Sequence, residues 1–136
     1  EYETIFIFQD ELCACLSTKH NNAQKPFMSA DDFSSETYIT NSTVPEKDRE
    51  YELFFKPNNV FPKKVVQVGF NEAIVELVKM NMGVTIISKQ LIAPYLSDGR
   101  IKTMPLGEQG LNIYWHLVYL KNSNVIILIV NERATQ

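Results

Sequence analysis

Apolar and polar positions follow two different rhythms along this chain of 136 residues. Two short apolar runs, Ile5–Phe8 and Leu12–Ser17, read as strands joined through Gln9–Asp10–Glu11. Lys19–Lys25 is polar and leads into Pro26, which predicts a loop. Ser29–Ala30–Asp31–Asp32 has the form of a capping box and predicts a short helical turn, after which Tyr38–Thr40 reads as a brief strand. Thr43–Val44–Pro45–Glu46 is a stronger helix start. Thr43 can cap, Pro45 sits where a missing N–H is harmless, and Glu46 can reach back. Tyr51, Phe54 and Phe55 then share a helical face, and Pro57–Asn58–Asn59 ends that helix. Val65–Val68 predicts a buried strand.

The stretch "VGFNEAIVELVKMNMGVTII", from Val68 to Ile87, carries both rhythms. Ile74, Leu77 and Val78 share one face of a helix. Asn71 is expected to cap it, with Phe70 packing on Val75 at hydrophobic-staple spacing. Gly83 is the expected left-handed stop before a buried strand, Val84–Ile87. Ser88 can cap a further helix that ends before Gly99 and is short, kinked or restarted at Pro94. Ile101–Leu106 reads as a strand, Gly107–Gly110 as a turn and Leu111–Leu120 as a long strand. Val125–Val130 fits a strand by its β-branching and a buried helical turn by its unbroken apolarity. Strands alternate with helices through the middle of the chain, which predicts an α/β fold: a mixed sheet with flanking helices and right-handed crossovers.

Composition narrows the class. Apolar content of 45% and charged content of 21% are ordinary for one globular domain. The longest apolar run, Val125–Val130, falls far short of the ~20 residues of a membrane helix, so no membrane partner is expected. A net charge of −3 argues against this chain gripping DNA phosphates itself. Cys13 and Cys15 point to one face of their strand. With His20 and His116 as the only histidines, their spacing does not make a zinc site, and they read as reduced core residues of a cytoplasmic protein. No metal and no cofactor are expected.

No nucleophile elbow, phosphate-cradling glycine loop or His-Glu-x-x-His motif is present, which argues against an enzyme. The carboxylates Asp31–Asp32 and Asp48/Glu50/Glu52 read as solvated helix faces. The informative places are the carboxyl ends of strands, where open α/β sheets bind ligands. Two corners qualify: Thr40–Asn41–Ser42–Thr43 and Gly69–Phe70–Asn71–Glu72. Each offers helix-start amides suited to a carboxylate, and the second adds Phe70 as an apolar wall. The bland alternative is that Thr43 and Asn71 only cap their helices.

At "GFNEAIVELVKMNMGVTIISKQLIAPYLSDGRIKTMPLG" the chain resembles the effector-binding domain of LysR-type transcriptional regulators. "DELCACLSTKH" is similar to that family's incoming crossing strand, and "ADDFSSETYIT" to the short helix and strand that follow. "TVPEKDREYELFFKPNNVFPKKVVQV" resembles, more narrowly, its methionine-biosynthesis regulators. Asn21 stands where the family has proline after His20, and Ser88 replaces another common proline. The resemblance implies a three-layer mixed sheet with flanking helices, one lobe of a periplasmic-binding-protein type II-like effector domain. Residues 1–16 would be a remnant of the first lobe with the incoming strand, 17–119 the second lobe, and 120–136 the return toward the first lobe.

The function so implied is ligand sensing without catalysis. A small amino-acid-like effector, homocysteine in the methionine-type regulators, would sit between the lobes. Its carboxylate would meet Thr40, Asn41 and Ser42 or Gly69, Phe70 and Asn71, with Ser17 and Thr18 at the hinge edge. DNA would be bound only through an N-terminal winged helix-turn-helix that this chain does not carry, in a homo-oligomer. Uncovered apolar runs at Ile5–Phe8 and Val125–Val130 are expected to favour self-association. The alternatives are one lobe of a bilobal solute-binding protein and, with His20 as the residue to test, a small α/β enzyme.

Overall fold

Ile5–Phe8 and Leu12–Ser17 belong to one continuous strand, β1 (Tyr2–Ser17), in the computed structural model, which describes residues 2–41, 50–122 and 124–131. Gln9–Asp10–Glu11 makes no turn, because these residues pair in register with Tyr114, Ile113 and Asn112. A bulge between Phe6 and Phe8 absorbs one extra residue. The further strands are β2 (Thr37–Thr40), β3 (Lys64–Gln67), β4 (Thr85–Ser88), β5 (Ile101–Pro105), β6 (Leu111–Leu120) and β7 (Ile126–Asn131). β1 is the hub. It pairs antiparallel with β4 along one edge; along the other it pairs first with β6 and then, from Cys13 onward, with β5. β7 adds to β6, which settles the reading of Val125–Val130 as strand.

β2 and β3 form a parallel pair, and a parallel bridge from Tyr38 to Val84 joins β2 to β4. The fold is therefore mixed α/β. The fully buried runs Leu12–Ser17 and Thr85–Ser88 are explained by cores on both faces of the sheet. Leu12, Ala14 and Leu16 face one cluster, built on Met28, Phe33, Tyr38 and Phe55. Cys15, Ile39 and Ile87 face the other, built on helix α1 (Asn71–Lys79) through Ile74, Val75 and Val78, and on Ile92 of α2 (Lys89–Ile92).

Local expectations hold at both short helical turns. Ser29 and Asp32 bond reciprocally, Ser29 N–H to Asp32 Oδ2 at 2.9 Å and Asp32 N–H to Ser29 Oγ at 3.2 Å, and a 3-10 turn follows over Asp31–Phe33. Ser88 Oγ accepts from Leu91 N–H at 3.2 Å, and α2 passes at Pro94 into a 3-10 segment, Ala93–Asp98, closed by left-handed Gly99. The helix start at Thr43–Glu46 lies outside the described residues.

Four expectations need correction. The left-handed residue after α1 is Asn81 (φ 58°), not Gly83. Gly83 is required for a different reason: a Cβ there would stand 2.7 Å from the Thr37 carbonyl oxygen and 2.8 Å from Ile39 Cδ1. Tyr51–Phe55 is a π-helical turn, with Lys56 N–H reaching the Tyr51 carbonyl at 2.8 Å, and it buries Phe54 and Phe55 together. Glu50 is not a solvated carboxylate; it is 2% exposed and accepts from the Tyr38 hydroxyl. β3 is not a buried strand but a largely exposed one, with Val65 47% exposed.

The first half of β1 projects with β6 and β7 as an apolar ribbon. Ile5, Phe6 and Ile7 of β1 and Ile126–Ile129 of β7 are all exposed. Cys13 and Cys15 lie at the opposite extreme. Burial pushes both thiols up to about 12, and Cys13 Sγ donates to the Ile87 carbonyl at 3.3 Å. Among the described residues no three His, Cys, Asp or Glu side chains gather as a metal site. Both thiols are expected to resist iodoacetamide in the folded protein at pH 8 and to react in urea, read by mass spectrometry. Stability from keeping these thiols neutral is complete below their unfolded value near 9 and is lost as pH rises toward 12.

Candidate functional site

The parallel strands β2, β3 and β4 end at the same edge, and α1 begins there. Thr40 closes β2 and is buried, and its carbonyl accepts from Val68 N–H at 2.8 Å. Thr85 Oγ1 donates to the Ile39 carbonyl at 2.6 Å and fixes the start of β4 against β2. The two corners singled out in the sequence therefore meet. Asn41 Nδ2 donates to Asn71 Oδ1 at 2.7 Å, so Asn71 spends its side chain on the neighbouring corner and does not cap α1. Phe70 holds the N-cap position with extended backbone and no side-chain hydrogen bond. Neither Phe70 nor Asn71 thus caps the N–H groups of the first turn, where the helix dipole favours negative charge.

These residues border a cavity of about 150 Å³. Thr40, Asn41, Asn71, Thr85 and Ser88 supply its polar rim. Ile74, Ile87 and Ile113 make an apolar floor, and Trp115 of β6 forms a wall. None of the described lining residues carries a charge. The polar groups its described lining offers a ligand are amides and hydroxyls, not a lysine or arginine.

Sequence-based expectations are only partly brought together. Thr40, Asn41 and Asn71 line the cavity. Gly69 and Phe70 are beside it without lining it, and Phe70 is 59% exposed instead of stapling Val75. Ser42 lies outside the described residues. Ser17 and Thr18 are elsewhere. Ser17 ends β1 opposite Ile101, its Oγ accepts from Lys19 N–H at 3.0 Å, and Thr18 Oγ1 donates to the Arg100 carbonyl at 3.3 Å. Ser88, Leu91 and Trp115 were not expected at this place, since nothing in their local spacing marks a strand-end cavity.

A second hollow of about 400 Å³ adjoins His20, Glu36, Asn81 and Met82. It is larger, but its groups satisfy one another: His20 Nε2 is 3.0 Å from Glu36 Oε1, and His20 Nδ1 accepts from Asn22 N–H at 2.9 Å. It lies at the opposite end of these elements, by the start of β2 and the turn that follows α1, away from the carboxyl ends of the strands and the start of α1, so the smaller cavity is the better candidate.

The model of the LysR substrate binding domain matches residues 1–125. Solved structures share the fold. The regulatory domain of MetR, a LysR family regulator from N. meningitidis, superposes with a TM-score of 0.77 at 22% identity, over 90% of this chain and 57% of that one. The Synechocystis CcmR regulatory domain, in complex with 2-PG, gives 0.76 at 16% identity, over 92% and 60%. The effector binding domain of QuiR, in complex with shikimate, gives 0.71 at 23% identity, over 91% and 58%. This chain thus spans between 57% and 60% of the length of these three structures. No curated protein sequence matches it.

Proposed function

The chain belongs to the LysR substrate-binding domain family, and we propose on that premise that it is a ligand-sensing lobe taking a small organic acid at the strand-end cavity. The carrying observation is the Asn41–Asn71 bond, which locks two strand-end corners around an uncharged polar rim at the start of α1. The acid's carboxylate meets the first-turn amides of α1 and the hydroxyls of Thr40 and Ser88, and its remaining atoms lie over the apolar floor. Residues 17–119 serve as the second lobe, with 1–16 and 120–136 leading to the first. The family match favours a sensing lobe of a regulator over the solute-binding and enzyme alternatives.

Shikimate and 2-PG, bound by QuiR and CcmR, support a small-molecule effector. The resemblance to methionine-type regulators makes homocysteine the first to test. In the parent protein, effector binding would modulate DNA contact by a winged helix-turn-helix within a cytoplasmic homo-oligomer. No helix described here is long and apolar enough to cross a membrane.

A cavity of about 150 Å³ is roughly half the smallest usual ligand site of ~300 Å³, as expected of one wall of a cleft. Homocysteine should therefore bind these 136 residues only at millimolar levels. In a ¹⁵N titration, the amides of Thr40, Asn41, Asn71 and Glu72 should shift, and Asn71→Ala should weaken binding about fivefold. Submicromolar affinity, or shifts confined to His20 and Glu36, would overturn this reading.

A further inference from the structure

Trp115, the one aromatic among the cavity's described lining residues, is held from outside the cavity. Trp115 Nε1–H donates to Asp10 Oδ2 at 2.9 Å. The other oxygen of Asp10 accepts from Glu11 N–H at 2.7 Å and from Gln90 N–H at 3.3 Å. Asp10 itself is 6% exposed. One carboxylate therefore ties β1 to β6 through the indole, and to α2 through Gln90. Leu91, the next residue of α2, lines the cavity together with Trp115. Phe8, across from Trp115 in the β1–β6 register, stacks on the indole with ring centres 6.1 Å apart and planes 29° from parallel.

The indole would otherwise turn about its side-chain torsions. A single N–H bond on one edge and a stacked ring together select one orientation, with the ring bordering the cavity. A buried carboxylate is suited to this task because it accepts several donors at once. Both of its oxygens already accept protein N–H groups, and Asp10 is not among the residues that line the cavity.

We propose that Asp10 is a positioning residue for Trp115, and that the indole so held is the specificity-determining wall for the ligand's apolar arm. This rests on the reading of the cavity as an acid-binding site, and it adds what that reading leaves open: selection among acids by the group opposite the carboxylate. An arm of methylene and sulfur lies well against an indole, whereas a hydroxyl in the same place loses water without gaining a partner.

Trp115 is the chain's single tryptophan, so its fluorescence reports this wall alone. In the ligand-free chain, Asp10→Ala should raise acrylamide quenching of Trp115 severalfold and shift its emission, with the far-UV circular dichroism unchanged. Asp10→Asn, which keeps one acceptor oxygen, should fall between. Unaltered quenching and emission in both variants would overturn the positioning role, whether or not any acid binds. Should Asp10→Ala fail to fold, Asp10→Asn carries the test by the same criteria. Homocysteine and homoserine, which differ by sulfur against oxygen, are then titrated by ¹⁵N shifts. The wild-type chain should prefer homocysteine by at least fivefold, and Asp10→Ala should erase that preference. Equal affinities in the wild type would overturn the specificity role. Absence of any shift at Thr40, Asn41 and Asn71 with both acids would overturn the acid-binding reading, and the specificity role with it, while the quenching result would still decide whether Asp10 positions the indole.

Discussion

Phe33→Ala is expected to lower the unfolding free energy by about 3–5 kcal/mol, the usual cost of emptying an aromatic core position. Phe33 is fully buried at the end of the 3-10 turn that Ser29 and Asp32 set. Its ring meets Tyr38, Phe54 and Phe55 edge-on, at centroid separations of 6.4, 5.7 and 5.4 Å. Those partners come from β2 and from the π-helical turn, so the ring joins three separate segments. Removing it leaves a hole that none of the three can fill without leaving its own hydrogen bonds. Domains of this size are commonly stable by only ~5–15 kcal/mol, so the variant should melt far earlier or not fold. Urea unfolding followed by circular dichroism measures the change. A loss under about 1 kcal/mol would show that the cluster collapses freely around the gap.

The second large effect should come from adding one methyl group. Gly83→Ala places a Cβ 2.7 Å from a backbone oxygen, that of Thr37, and 2.8 and 2.9 Å from two carbons of Ile39. The Thr37 carbonyl cannot simply yield, because it accepts from Val84 N–H at 2.9 Å, one of the bonds that seat β2 beside β4. Overpacking of this kind costs about 1–3 kcal/mol. The damage should reach the cavity as well, since Thr40 and Thr85 are positioned by the same strand pair. Amide exchange at Ile39 and Val84 should accelerate more than exchange in β6. A uniform change, or none, would mean that the strands separate without loss. Asn81→Gly, by contrast, should be close to neutral, because it relieves a left-handed backbone.

Several elements could be read from the chain because their signals are local. The Ser29–Asp32 box, the Ser88 cap, the restart at Pro94 and the strand Leu111–Leu120 each depend on neighbours within a few residues. What sequence reading missed depends on distant partners. Gln9–Asp10–Glu11 looks like a connector, and only its ladder to Asn112–Tyr114 makes it strand. Asn71 has every local mark of a cap, yet Asn41 claims its side chain from the other corner. Gly83 has the local mark of a left-handed stop, but Asn81 takes that role, and the glycine is needed for the close approach of β2, which the sequence around it does not display. At the site, the two corners were legible from strand-end logic. The Trp115 wall was not, because its anchor, Asp10, lies 105 residues away along the chain.

The central strand precedes all of its described partners along the chain. β1 occupies Tyr2–Ser17, and among the described residues its partner strands lie far downstream: β4 begins at Thr85, β5 at Ile101 and β6 at Leu111. A ribosome adding ~5–20 residues per second leaves this apolar segment without partners for several seconds at least. The α1 region can form early from its own neighbours, but the sheet cannot close until the hub's partners emerge. Such a topology folds late and slowly for its size. A hub strand waiting for these partners is open to aggregation, so the yield of folded protein should rise with chaperone supply.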